Sequence, residues 1–355
     1  MQFKKDRMGS VERIKAMLNR QPVDRVPFFS FAQGFSTLNV GYPIADYYRD
    51  PERSVYALKK TEEQYNYAPI TLYGYAAFCA WEFGGELKWP EGEFSQAPAT
   101  TRYPVNSLEE IDSLEIPKIE EAGGFIPLFT QFSEIHEKYP GYYLIGIEAP
   151  FVGSGNICGV TNLTRWIIKA PEAVHKILRK VTDFKIELVR YLAKKFGTEK
   201  MLPWVGDATA SNVIISPKMF QEFAMPYTKE LHENILDAGY KHIVAHICGE
   251  QTKNYPYWAQ IPMGDPGLIS VSHEVDLNTA IKYFPNDIIL GNINPSVIQA
   301  GTADEVYGLA VECLKKGMKA PAGFMLAPGC ELPAKAPPYN VWTCMKAIDD
   351  FGWYE

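Results

Sequence analysis

His242-Ile243-Val244-Ala245-His246-Ile247-Cys248 is a short apolar run closed by Gly249-Glu250, and it reads as a buried β-strand. Its apolar character is nearly continuous, the pattern of a parallel strand covered on both faces. Seven similar runs lie at 26–32, 70–73, 142–147, 202–205, 268–271, 288–292 and 324–327; with 243–248 they make eight. Helical periodicity separates most of them, most clearly over 52–65, 171–196, 217–236 and 303–316. Pro217 after Ser216 suits a helix start, where a missing N–H costs nothing, and Gly239 and Gly317 suit helix ends. Eight strands alternating with helices over 355 residues predict an α/β fold, a single (β/α)8 TIM barrel spanning 1–355. A doubly wound open sheet also alternates, but strand count and chain length favour the barrel. Two additions are expected. One is an N-terminal helix over 10–20, with Ser10 as N-cap and Val11, Ile14, Met17 and Leu18 on one face. The other is a Pro-rich excursion or hairpin over 84–114 at the barrel mouth, carrying Pro90, Pro98 and Pro104.

Composition narrows the function. Apolar residues make up 46% of the chain, enough for a large core, and the net charge is −7 with no basic block. Nucleic-acid binding needs clustered Lys and Arg and is not expected. No apolar run reaches the roughly 18 residues of a membrane span, and the N-terminus carries no signal-peptide core, so a cytoplasmic protein is expected. Neither a G-x-G-x-x-G nor a Walker motif is present. The six cysteines are read as reduced thiols. Cys313 and Cys344 recur with apolar neighbours at helical spacing and belong to the core, while Cys79 and Cys158 receive no role.

The chemistry lies in three residues. His246 and Cys248 are two apart on a strand, so their side chains share a face. Cys330 follows Phe324-Met-Leu-Ala-Pro-Gly, where the last strand ends, and both cysteines therefore fall on the C-terminal rim of a barrel. One imidazole and two thiols with a fourth position open is the pattern of a catalytic zinc; a buried strand with a satisfied histidine is the plain alternative. Carboxylates also occupy strand ends, Asp207 after Trp204-Val-Gly and Glu148 after Leu144-Ile-Gly-Ile, and Glu82 follows a small and aromatic stretch. Each is a candidate fourth ligand, proton carrier or substrate anchor, with a structural salt-bridged role as the competing reading. Asp207 and Glu148 are taken as candidate catalytic groups, and Glu82, Tyr75, Phe31 and His273 as candidate substrate contacts. His242 lies roughly 13 Å back along the strand, too far to bind the same ion, and is read as structural or as orienting another group. His136, His175 and His232 read as surface residues.

These residues and their setting resemble the uroporphyrinogen decarboxylase superfamily, and within it the corrinoid-dependent methyltransferases. The resemblance runs nearly end to end. It is carried by Glu12-Arg-Ile-Lys-Ala-Met-Leu with Pro22-Val-Asp-Arg-Val-Pro, by Asp207 with Ile215-Ser-Pro-Lys-Met-Phe-Gln-Glu-Phe, by His246-Ile-Cys-Gly, by Leu290-Gly-Asn-Ile-Asn-Pro and by Pro328-Gly-Cys. It implies a zinc-bearing (β/α)8 barrel whose His-x-Cys…Cys ligands are His246, Cys248 and Cys330. It also implies a corrinoid carrier protein, docked over the mouth, that brings cobalamin cobalt to a small methyl donor or acceptor. The decarboxylases themselves carry an arginine-rich motif after the first strand, but Ala32-Gln-Gly-Phe-Ser-Thr-Leu-Asn-Val has no arginine to hold porphyrinogen carboxylates.

The expected activity is therefore methyl transfer between a small substrate and a corrinoid protein. A zinc could activate a thiol acceptor or polarise a methyl ether oxygen. Aromatics in segments expected at the mouth (Phe31, Phe35, Tyr42, Tyr73, Tyr75, Phe78, Trp81, Phe151 and Trp204) favour a methoxylated ring and O-demethylation; a well-packed aromatic core is the alternative for at least half of them. A methylcorrinoid:thiol reaction of the coenzyme M type, a metal-free lyase and a non-catalytic corrinoid-binding protein are the rivals. Homo-oligomerisation is compatible with each.

Overall fold

The computed structural model describes Phe3, residues 6–91 and residues 95–355. Seven parallel strands form one sheet in the order β1 (Ile70–Tyr73), β4 (Tyr142–Gly146), β5 (Met201–Gly206), β6 (Val244–Ile247), β7 (Leu268–Val271), β8 (Ile288–Ile293) and β9 (Phe324–Pro328). A separate antiparallel hairpin, β2 (Glu86–Lys88) with β3 (Ala99–Arg102), is the expected excursion; its residues 92–94 lie outside the described ones. The chain is a TIM-barrel-like α/β fold. The run at 26–32, expected as a full strand, makes only one parallel bridge, Phe28 with Leu326. It still joins the two ends of the sheet. Phe29 N–H donates to Leu326 O at 2.9 Å, Leu326 N–H to Pro27 O at 3.0 Å, and Ala68 N–H to Phe28 O at 2.9 Å. Pro27 has no N–H to give, which limits the ladder.

Strand side chains alternate between two cores, since successive residues point to opposite faces. One core joins Ile70, Leu72, Leu144, Leu202, Trp204, Val244, Leu268, Ile288, Leu290, Met325 and Ala327, the inward positions of neighbouring strands. The helix Ser10–Leu18 closes its N-terminal end with Ile14, Met17 and Leu18. The larger cluster packs the opposite strand faces against the surrounding helices. The N-cap of Ser10–Leu18 is Gly9 rather than Ser10: Gly9 N–H donates to Glu12 Oε2 at 3.2 Å, shifting the helix start by one residue.

The motif at 12–13 and 22–27 is structural. Arg13, 2% exposed, donates from Nε to Asp24 Oδ1 at 2.6 Å and from Nη2 to Asp6 Oδ1 at 2.8 Å. Arg25 Nε donates to the same Asp6 oxygen at 2.6 Å. Burial alone would raise the Asp24 pKa, but Arg13 and the amides of Arg7 and Met8 outweigh it and hold it at about 2. Asp24 therefore stabilises the fold above its unfolded pKa of 3.8, and that contribution fades as pH falls toward about 2. Arg13→Ala should cost about 3–5 kcal/mol, because it leaves a buried carboxylate unpaired. Urea unfolding at pH 7 measures this; a loss below about 1 kcal/mol would assign the network no stabilising role.

Candidate active site

His246 ends an inward-facing row. Its register partners are Gly206 on β5 and Ser270 on β7, so the imidazole stands at the top of the barrel core. Cys248 follows β6 and Cys330 follows β9 after Pro328-Gly329. Glycine is required at 329, where a Cβ would lie 2.4 Å from the backbone nitrogen of His273. The two thiols approach to 3.8 Å between sulfurs, and the ligand atoms of His246, Cys248 and Cys330 all lie within 4.8 Å of one another. Two sulfurs bound about 2.3 Å from a tetrahedral zinc would stand about 3.8 Å apart.

The imidazole is arranged to offer one nitrogen. Nδ1 lies 2.9 Å from Ser270 Oγ, whereas Nε2 is buried with no hydrogen-bond partner. With Nδ1–H donating to Ser270, the Nε2 lone pair is free for a metal. An orphaned imidazole nitrogen beside two sulfurs fits zinc, and the soft donors disfavour magnesium or calcium. The sulfurs act as a pair: the hydrogen bond to Cys330 pushes the Cys248 thiol up, while Cys330 is held well below the usual thiol range by accepting that bond and by nearby His246. Trp204 stacks on the imidazole at 5.1 Å between centroids and Phe31 meets it edge-on at 5.3 Å, which fixes the ring plane. Ser270→Ala should leave the three ligands in place but weaken zinc binding about 10–100-fold. Competition with a chromophoric chelator reads this; an unchanged affinity would remove Ser270 from the site.

These groups border a cavity of about 180 Å³. Tyr75, Phe31 and Trp204 form part of its apolar wall; Glu148, Asp207 and Glu331 line it with carboxyls. Asp207 is fully buried; Oδ1 accepts from Ala210 N–H at 3.1 Å, and Oδ2 has no partner. Burial pushes its pKa up to about 7. Glu148 sits in a left-handed backbone conformation (φ 56°), as does Phe31 (φ 45°), a strained geometry common at functional sites. Gly206 makes room for Glu148, since a Cβ there would lie 2.5 Å from its Oε2. Burial and, less strongly, Asp207 and Cys330 push Glu148 up to about 8, against the pull of Lys185. The buried Lys185 ammonium donates to Ile147 O at 2.5 Å and Glu148 O at 2.9 Å, holding the strained turn from beneath.

Several sequence expectations land elsewhere. Glu82 does not reach the cavity. It is buried behind Tyr75, whose hydroxyl donates to it at 2.9 Å, and it accepts from Cys79 N–H at 2.7 Å and Phe125 N–H at 2.8 Å, so it anchors Tyr75 rather than a ligand. His273 is exposed in a neighbouring cleft with Asp276 and Lys316, because the chain turns outward after Val271. His242 is structural, bonded to Pro266 O at 2.9 Å. His136 and His232 are buried rather than on the surface. They lie on inward helix faces and bond Thr71 Oγ1 and Pro262 O, each at 2.8 Å. Of the nine aromatics expected at the mouth, only Phe31, Tyr75 and Trp204 line the cavity; Phe35, Tyr73, Phe78 and Phe151 are core. Sequence reasoning missed Ser270, Lys185, Glu331 and Gln251. Gln251 Nε2 donates to Asp207 O at 2.6 Å and Cys248 O at 2.9 Å, joining the acid and thiol loops. Only Glu331, next to Cys330, carried a local signal.

The sequence model of the uroporphyrinogen decarboxylase (URO-D) family matches residues 10–351. The chain belongs to this family. Its relatives include a methylcobamide:CoM methyltransferase of Methanosarcina acetivorans, 26% identical, over 96% of this chain and 97% of the relative. A methylated-thiol–coenzyme M methyltransferase of Methanosarcina mazei is 29% identical over 56% of this chain and 53% of its own length. A uroporphyrinogen decarboxylase of Xanthomonas oryzae is more distant, 22% identical over 81% of this chain and 82% of its own. Among solved structures, a methyltransferase from Methanosarcina mazei superimposes with a TM-score of 0.80 at 21% identity, covering 97% of this chain and 99% of that one, which shows the shared fold. No helix among the described residues is long and apolar enough to cross a membrane.

Proposed function

We propose that this chain is a zinc-dependent methyltransferase that moves a methyl group from the cobalt of a corrinoid protein to a small thiol. The observation that carries the reading is the meeting of Cys248, Cys330 and the orphaned Nε2 of His246 at the edge of a cavity. Relatives named as methyltransferases over nearly the whole chain support it. A zinc held by His246, Cys248 and Cys330 would supply Lewis acidity, lowering the pKa of a substrate thiol at neutral pH. The remaining work falls to the protein. Ser270 would fix the imidazole tautomer, Trp204 and Phe31 would exclude water, and Asp207, partly ionised near neutral pH with its pKa at about 7, would take up the thiol proton, with Glu148 beside it in the cavity wall. The thiolate sulfur then attacks the methyl carbon. The S–CH3 bond forms as the Co–CH3 bond breaks, and both electrons of that bond stay on cobalt, which leaves as Co(I). Corrinoid and carrier would dock at the C-terminal ends of the strands, where the cavity opens.

The ether reading rested on nine aromatics, and six of them do not face the cavity. The thiol reading is therefore preferred; Phe31, Tyr75 and Trp204, joined in the cavity wall by Tyr48, are what remains in favour of a methoxylated ring. The test incubates zinc-replete protein with methylcobalamin and 2-mercaptoethanol, and separately with Co(I) cobalamin and methoxyarenes. The expected result is enzyme-dependent formation of the methyl thioether. Methylcobalamin formed only from the methoxyarenes would replace this reading with O-demethylation, and turnover in neither would refute methyl transfer.

A further inference from the structure

We infer that the methyl acceptor is a small thiol with an uncharged, apolar tail, held by ring and aliphatic surface and not by a counter-ion. This rests on the thiol methyltransferase reading above and names its substrate class. Beside the three proposed metal ligands the cavity wall is made by the buried side chains of Phe31, Tyr48, Leu72, Tyr75, Val152 and Trp204. The polar donors in that wall are already committed to the protein. Tyr75 Oη donates to Glu82 at 2.9 Å and Tyr48 Oη to Gln96 O at 3.1 Å, while Gln33 Nε2 donates to Tyr47 Oη at 2.8 Å and to Gly74 O at 3.0 Å. A ligand therefore meets their rings and stems, not their N–H and O–H groups. Among the described residues no Lys or Arg lines the cavity. The buried cation nearby, Lys185, donates to the carbonyls of Ile147 and Glu148, beneath it. Glu148, Asp207 and Glu331 also line the cavity, and in neither protonation state does a carboxyl supply positive charge.

An anionic tail entering this space gives up its hydration and finds no cation and no free donor among those side chains, so the loss goes uncompensated. An apolar tail leaves water at a gain and packs on the aromatic faces. Size agrees. About 180 Å³ holds a compact molecule of a few heavy atoms, so a tail of about two or three carbons on a sulfur held at His246, Cys248 and Cys330 stays against these walls.

Four thiols of similar length test this: 1-propanethiol, 2-mercaptoethanol, 2-mercaptoethanesulfonate and 2-aminoethanethiol, which end in methyl, hydroxyl, sulfonate and ammonium. Their dissociation constants for zinc-replete protein are measured by calorimetry at one pH, and methyl transfer from methylcobalamin is followed in parallel. The inference expects 1-propanethiol to bind tightest. It also expects 2-mercaptoethanol, whose thiol is about as acidic as that of the sulfonate, to bind at least about tenfold tighter than the sulfonate. Ala97→Lys, which brings an ammonium to a half-buried position of the wall, should narrow that gap to about threefold or less. A sulfonate that binds as well as the alcohol, or an amine that binds tighter than 1-propanethiol, with methyl transfer intact, would overturn the inference and leave the methyltransferase reading standing. Failure of all four thiols to bind or accept a methyl group would overturn both. The comparison on unsubstituted protein decides the matter even if the variant fails to fold.

Discussion

Cys330→Ala protein should purify folded but with zinc reduced from about one per chain to near none, and methyl transfer should fall by about a thousandfold or more. On the proposed reading Cys330 would be one of three protein ligands, and His246 at the end of β6 with Cys248 just after it would not close the set without it. The fold should survive because Cys330 lies after β9, partly buried, and its thiol touches Cys248 rather than the main core. Cys248→Ala should behave alike. Elemental analysis with far-ultraviolet circular dichroism separates the outcomes. A variant that keeps stoichiometric zinc and full turnover would remove Cys330 from the site, and an unfolded variant would make the metal structural.

Glu148→Gln and Asp207→Asn should make the metal-free protein more stable at alkaline pH while reducing methyl transfer by about 10²-fold or more. Burial raises the folded-state pKa of Glu148 from 4.5 to about 8 and that of Asp207 from 3.8 to about 7. A carboxyl whose pKa is higher folded than unfolded favours the fold while protonated. That benefit is whole below the unfolded value, and it is lost as pH rises through the folded one. Stability of the parent protein should thus decline between about pH 4 and 8. The neutral amides escape this decline and should gain on the order of 1–3 kcal/mol at pH 8.5 relative to pH 4.5. Urea titrations of metal-free protein at the two pH values measure the difference. Variants destabilised at both would show that the acids serve packing, for example through the Asp207 bond to Ala210, and not chemistry.

Strand positions were legible because parallel strands need continuous apolar runs, and the convergence of His246, Cys248 and Cys330 because residues two apart on a strand share a face and both cysteines fall at strand ends. What failed did so for physical reasons. The run at 26–32 has the composition of a strand, but Pro27 limits its ladder to one bridge. Glu82 and Asp207 look alike in sequence; only the fold shows that Glu82 is saturated by Tyr75, Cys79 and Phe125 while Asp207 keeps a free oxygen. The aromatics could not be sorted, since an inward and an outward tyrosine on adjacent strands differ only by register. Ser270 and Gln251 act through partners brought together from other strands, so neither has a local signature.

X-ray absorption at the zinc edge tests the central claim most directly. The account predicts two sulfurs at about 2.3 Å and nitrogen or oxygen neighbours at about 2.0–2.1 Å in the purified protein, with a third sulfur replacing one light atom when a thiol is added. No zinc, or a four-ligand shell that a saturating thiol leaves unchanged, would contradict an open catalytic metal position at His246, Cys248 and Cys330.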